Sequence, residues 1–411
     1  MVAHNRPFCK PQRSSSFGYF LAFNRPAGYK PRYPLQRTAM GVAKSRRNQV
    51  LDLLRGHFLI AILVDHLIFI IGRPSWFRYY NGMGRLWVSA AEGFVFISGF
   101  LMGRIYRRRL VSRGTAWVVK HLLKRACVFH VLCACLTVMY TVLARAAGRG
   151  PNISLGLQDL SALEALGRAL TFRYAYGWAD LLMLYTVLTL ASIAALLALR
   201  NGLGLLVGLF SCLAYVWVQV LPEVNRVTGS PFPIPAWQFL FFLALCFGYY
   251  ADKVRPLYYR VKNNRLIMTA LVLIFGVSVF GNIMYVFYGK WRVYKEEISW
   301  LFNRLELGPG RIVLFLLWFM VIYAAVRRFL PYIHAVMGWL WDFLGRRSLV
   351  TYVCESMILF AVFYLPRLRG RWRNDLLILA CVMVVWLMVH GYAWLTPKQK
   401  KPPALASPAS L

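Results

Sequence analysis

The chain has 411 residues, of which 59% are hydrophobic, 16% aromatic and only 15% charged, with 49 Lys or Arg against 14 Asp or Glu. A soluble domain is about 45–50% apolar and about 25% charged, so a soluble fold would have to hide too much apolar surface, and a disordered chain is excluded for the same reason. The formal net charge of +35 first suggests a nucleic-acid binder. However, the basic residues stand in short clusters between apolar runs about 18–22 residues long, the span of a bilayer. The composition therefore predicts an all-α, polytopic integral membrane protein with the lipid bilayer as its surroundings and no nucleic-acid partner.

Residues 1–48 read as a basic, disordered N-terminal arm without an apolar stretch of signal-peptide length. A true start at Met40 and an organelle-targeting segment are the alternatives for residues 1–39. A membrane domain follows over 49–396, with about ten transmembrane helices at 51–72, 86–105, 126–144, 178–199, 203–221, 237–251, 267–288, 312–330, 348–365 and 376–396. Residues 397–411 read as a basic, Pro-rich disordered tail. With both termini in the cytoplasm, 32 of the basic residues fall inside and 17 outside, as the positive-inside rule asks. The loop 367–373, with Arg367, Arg369, Arg371 and Arg373, runs against that rule. Either the last two helices are misread there or the loop meets something anionic outside.

Cysteines lie mostly in apolar runs, where they act as small hydrophobes. His130, Cys133 and Cys135 resemble a metal cluster only superficially, because no second ligand pair has zinc-type spacing, and no metal site is expected. An ionisable group at membrane depth is costly and marks function by default. The first helix carries Asp52, Arg55, Asp65 and His66. Eleven residues separate Arg55 from His66, about three turns and roughly 16 Å, so both share one face. Asp52 and Arg55 can pair at the interface, and a hydrogen bond between helices is the structural alternative for His66.

In the second helix Glu92 sits among small residues, and Ser98, Gly99 and Gly103 add further small positions. Small residues admit close helix approach, so the first two helices are expected to pack tightly and bring Glu92 beside His66 as an acid–base partner. The alternative is a structural Glu met by a Ser or Tyr. Arg104, Arg107, Arg108, Arg109 and Arg113 follow on the cytoplasmic side. Their forked donors suit a phosphate-bearing ligand, although topology and anionic lipid explain the same cluster. Asp180 and Tyr185 open the fourth helix; Asp180, near the outer interface, reads as a group that binds a hydroxylated substrate or assists His66, with an interfacial structural Asp as the equal alternative, and Trp237 and Gln238 open the sixth. Glu355 and His390 read as interhelical hydrogen-bonding groups.

The runs RNQVLDLLRGHFLIAILVDHL, WVSAAEGFVFISGFLMG, YAYGWADLLMLY, PAWQFLFFL, LGPGRIVLFLLW and LGRRSLVTYV, in this order over residues 47–396, resemble the OpgC-type membrane acyltransferases, related to the acyltransferase-three superfamily. The resemblance implies a ten-helix O-acyltransferase with His66 as the catalytic residue and Arg55 as a donor contact. It also implies an acyl-coenzyme A donor from the cytoplasm, with no tightly bound cofactor. The implied acceptor is a glycan or glycolipid beyond the membrane, such as a periplasmic glucan, and succinyl or acetyl is the implied acyl group. The implied location is a bacterial inner membrane. His66, Glu92 and Asp65 are then the catalytic candidates. Arg55, Asp52, Arg104, Arg107, Arg108, Ser98, Asp180, Tyr185, Trp237 and Gln238 are the substrate-binding ones. A transporter or flippase is the main rival, since midplane ionisable residues also mark transport paths.

Overall fold

The computed structural model describes residues 48–72, 74–81, 86–151, 160–221, 233–288, 300–366 and 370–396. The expectations for the N-terminal arm, for the C-terminal tail and for Arg367 and Arg369 lie outside the described residues. Among those described, the regular elements are helical: α1 Gln49–Ile71, α2 Arg78–Asn81, α3 Ala90–Arg113, α4 Thr115–Ala146, α5 Ala162–Leu170, α6 Asp180–Arg200, α7 Gly204–Val220, α8 Ile234–Tyr249, α9 Ala251–Asn263, α10 Arg265–Tyr288, α11 Pro309–Arg328, α12 Leu330–Met337, α13 Phe343–Gly345, α14 Ser348–Tyr364 and α15 Arg371–Leu395. Helices dominate for the reason lipid dictates: each backbone donor must be met within its own segment.

Each of the ten segments read from the sequence coincides with a helix, but the count of crossings needs correction. Among the described residues, six helices are long and apolar enough to span a membrane, and eight if two sharply bent pairs each count as one crossing. One pair is α8 with α9, bent by 95°; the other joins Leu330–Gly345 to α14 at 89°. Helix α3 carries Glu92 and five arginines, and α7 is short.

Helix α1 sits at the centre. Leu51, Leu54, Leu59, Leu63 and Leu67 are buried on several faces, as a helix apolar all round requires. It packs against α3, α11, α14, α15 and the α12–α13 region. It ends at Gly72, whose left-handed φ of 59° lets its N–H bond Ile68 O at 3.1 Å, the glycine stop expected at a helix C-terminus.

The glycine-rich face of α3 does not serve the partner expected for it. A Cβ at Gly99 would overlap the Phe241 carbonyl, one at Gly103 the Leu245 carbonyl, and one at Gly248 the Phe100 carbonyl. These glycines therefore bring α3 and α8 together in parallel, whereas α1 meets α3 through Phe58 against Gly93. Backbones in such contact leave no room for a methyl group.

Gly103→Ala is expected to lower the Tm in detergent by several degrees, an overpacking cost of about 1–3 kcal/mol. Gly276, on α10, meets nothing within 4 Å of an added Cβ. Gly276→Ala should leave the Tm unchanged or raise it, because a helical Gly-to-Ala change gains up to about 1 kcal/mol. Parallel melts of the two variants check the assignment.

Candidate active site

The cavity that holds His66 has a volume of about 340 Å³, within the range of small-ligand sites. Its walls come from the C-terminal half of α1, the N-terminal ends of α3, α6 and α8, the middle of α14, and the segment before α11 that contributes Arg304 and Leu305. His66 stands five residues before the end of α1, about 8 Å by helical rise. The cavity therefore belongs to the end opposite Arg55.

His66 Nδ1 lies 2.8 Å from the Ile62 carbonyl oxygen, one turn earlier. That nitrogen must carry the proton and donate it, which leaves Nε2 as the acceptor. The Trp178 ring meets the imidazole edge-on at 6.1 Å. Asp65, Asp180 and Glu355 supply carboxyl groups to the same cavity, and Trp178 and Trp237 supply aromatic walls. Asp180 Oδ1 accepts the Leu181 N–H at 2.7 Å, which fixes it at the start of α6. Trp237 Nε1 donates to the Leu305 carbonyl at 3.1 Å and so ties α8 to the loop that carries Arg304.

Several predicted site residues lie elsewhere. Glu92 is fully buried but turned away from His66: it forms an ion pair with Arg311 of α11 and accepts the Ser89 N–H at 3.0 Å. Ser89 and Glu92 form a capping box at the start of α3. The expected Glu92–His66 partnership is thus replaced by a cap and an ion pair, because a Ser three residues before a Glu satisfies the first N–H groups of a helix. The carbonyl of Ile62, not a carboxylate, sets the His66 tautomer. Gln238 bridges to α7 instead of facing the cavity, accepting the Ser211 hydroxyl at 2.8 Å and donating to the Ser211 and Pro235 carbonyls at 2.8 and 2.9 Å.

Ser98 donates to the Phe94 carbonyl at 2.8 Å and accepts the Tyr185 hydroxyl at 3.1 Å. The Phe94 ring forms part of the cavity wall; the Arg55 guanidinium lies 6.0 Å from its centroid and the Tyr185 ring 5.8 Å. Phe94 therefore lies next to both Arg55 and the His66 cavity. Arg55 itself donates to the Ser348 hydroxyl at the start of α14. Asp52 is buried near the α13 end, its carbonyl packed against Gly345.

Of the arginine cluster, Arg107 donates to Asp252 and to the Tyr249 carbonyl, both at 2.8 Å. Arg109 and Arg113 stack on Trp117 at 5.3 and 4.8 Å. Arg104 is half-buried and Arg108 exposed. Outside this region, His130 stacks on Phe172 at 4.4 Å and Cys133 meets the Ala179 carbonyl. His390 is exposed and stacks on Phe343.

Arg304 and Arg311 are not among the residues predicted for the site, and Glu355, a deep candidate in the sequence, is expected there first as an interhelical hydrogen-bonding group. Arg304 and Arg311 sit in a segment that reads only as a basic outer loop. The spacing of Ser89 and Glu92, however, already carries the capping signature that would have drawn Glu92 away from His66.

Removing one partner of a buried ion pair strands the other charge, at a cost of about 3–5 kcal/mol. Arg311→Met alone should therefore destabilise the protein strongly in detergent melts. Adding Glu92→Gln to it should recover a large part of the loss, since a neutral cap remains.

No curated protein and no solved structure matches the chain. The family model described as OpgC protein matches residues 47–397, and the chain therefore belongs to the OpgC family, which implies a membrane acyltransferase.

Proposed function

We propose that the protein moves an acyl group, succinyl or acetyl, from cytoplasmic acyl-coenzyme A to a hydroxyl of a glycan or glycolipid on the far side of a bacterial inner membrane, a periplasmic glucan being the natural acceptor for this family. In this reading α3 and α7 cross the membrane with the other eight segments, giving ten passes with both termini in the cytoplasm. One observation carries the proposal: His66, with Nδ1 held by the Ile62 carbonyl and Nε2 left as the acceptor, lines a cavity walled by carboxyl groups and tryptophans, three turns along the same helix from Arg55.

The chemistry follows from that placement. Coenzyme A brings its phosphates to Arg55 and the basic end of α3, where Arg104, Arg107 and Arg108 stand. Its pantetheine arm, on the order of 15–20 Å, matches the helical rise of about 16 Å between Arg55 and His66 and passes the Phe94 ring to reach the cavity. His66 Nε2 takes the proton of an acceptor hydroxyl as its oxygen attacks the thioester carbonyl carbon. The new C–O bond forms, the C–S bond breaks, and the proton passes to the departing thiolate, so ester and free thiol result. Arg304 is the cation at the cavity suited to the charge that develops on the carbonyl oxygen. Asp65 and Asp180 orient the acceptor, with Trp237 as a wall for a sugar ring.

His66→Ala should abolish thiol release from acyl-coenzyme A in the presence of acceptor while the protein remains monodisperse in detergent. Wild-type turnover in that variant would end the assignment, and glycan movement without any thiol release would favour a transporter. Arg55→Ala should raise the KM for acyl-coenzyme A about tenfold, the loss of one charge-assisted contact, with little change in the KM for acceptor. An unchanged donor KM would remove Arg55 from the donor path.

A further inference from the structure

The polar groups around the cavity are nearly all committed to the protein itself. The Tyr352 hydroxyl donates to the Trp178 carbonyl. The Ser356 hydroxyl pairs with the Tyr140 hydroxyl at 2.7 Å. Asp180 takes the Leu181 N–H, and His66 Nδ1 is held by Ile62. Among the described residues, Trp178 Nε1 meets no hydrogen-bond partner, and Glu355 leaves both of its carboxyl oxygens open. Glu355 is 1% exposed and lines the cavity. A buried polar group left without a partner costs free energy, and a helix with no structural need for a carboxyl group would be more stable with a hydrophobic residue there.

Two oxygens on one rigid fork, unfilled by the protein, accept two O–H donors side by side. Trp178 and Trp237 line the same cavity and offer flat apolar faces. Two neighbouring hydroxyls on a ring with an apolar face are the chemistry of a sugar. Resting on the acyltransferase reading above, we infer that Glu355 binds a pair of adjacent acceptor hydroxyls, so that the acceptor must present a vicinal diol and not an isolated alcohol. His66 then acts on a hydroxyl of a ring that Glu355 has already positioned. Glu355 contacts substrate in this account but takes no part in the proton transfer.

The experiment measures sugar binding apart from turnover. In the His66→Ala background, a linear gluco-oligosaccharide is titrated against the intact protein with tryptophan fluorescence as the readout. Glu355→Gln should weaken binding about tenfold, and Glu355→Met by more, since contacts to a carboxyl group are the stronger class of hydrogen bond. Both substitutions should leave the Tm unchanged or raise it; a carboxyl group that held helices together would lower it instead. Monodeoxy glucosides add a second arm. Deleting the hydroxyl that meets Glu355 should weaken binding to the parent about tenfold and have no further effect on the Glu355→Met variant, the signature of a direct contact.

Undiminished oligosaccharide binding by Glu355→Met overturns the inference, as does water alone satisfying the carboxyl group, which would produce the same result. A parent protein that binds no sugar at all also overturns it. Failure of the acyltransferase reading shows separately, as the absence of acceptor-dependent thiol release from acyl-coenzyme A by the parent protein.

Discussion

Helix α1 is walled by α3, α11, α14, α15 and the α12–α13 region, and this enclosure is what allows Arg55, Asp65 and His66 to exist at membrane depth. A polar side chain facing lipid would need to reach the interface or find another partner, at a cost of several kcal/mol. Facing protein, Arg55 and His66 are met there. Arg55 reaches the Ser348 hydroxyl, and the imidazole of His66 is held by a carbonyl of its own helix. The close approaches at Gly56 and Gly345, where an added Cβ would strike the Trp341 and Asp52 carbonyls, bring the α13 end against α1 tightly enough to complete the wall.

The Glu92–Arg311 pair does a related job at the other end of the bundle. It joins the first turn of α3 to the first turns of α11, beside the segment that carries Arg304 and Leu305 to the cavity. Burial of both partners makes the pair a poor source of net stability but a strict geometric condition, since neither charge tolerates losing the other. The mouth of the cavity is thereby held to one arrangement of helix ends. Trp237, bonded to the Leu305 carbonyl, adds a third element to the same fixture.

Between the two ends lies Phe94. Its ring touches the Arg55 region on one side and the His66 cavity on the other. Tyr185 and Ser98, bonded to each other, back it. Residues singled out separately thus form one cluster between Arg55 and the carboxyl-lined cavity.

By itself the sequence determined the class of fold, the positions of the ten helical segments, and the shared face of Arg55 and His66. All three follow from local rules: apolar run length, and the helical repeat that places residues eleven apart on one side. It also held the cap at Ser89–Glu92, a local pattern that was read as a partner for histidine. Only the tertiary structure decided which helix α3's glycines would meet, that Gln238 would turn to α7, and that Glu355 would line the His66 cavity with no hydrogen-bond partner among the described residues. Those outcomes depend on which helices become neighbours, and in a bilayer many pairings bury apolar surface equally well. Small residues and polar groups choose among the pairings through contacts between segments far apart in sequence, so no local pattern announces them.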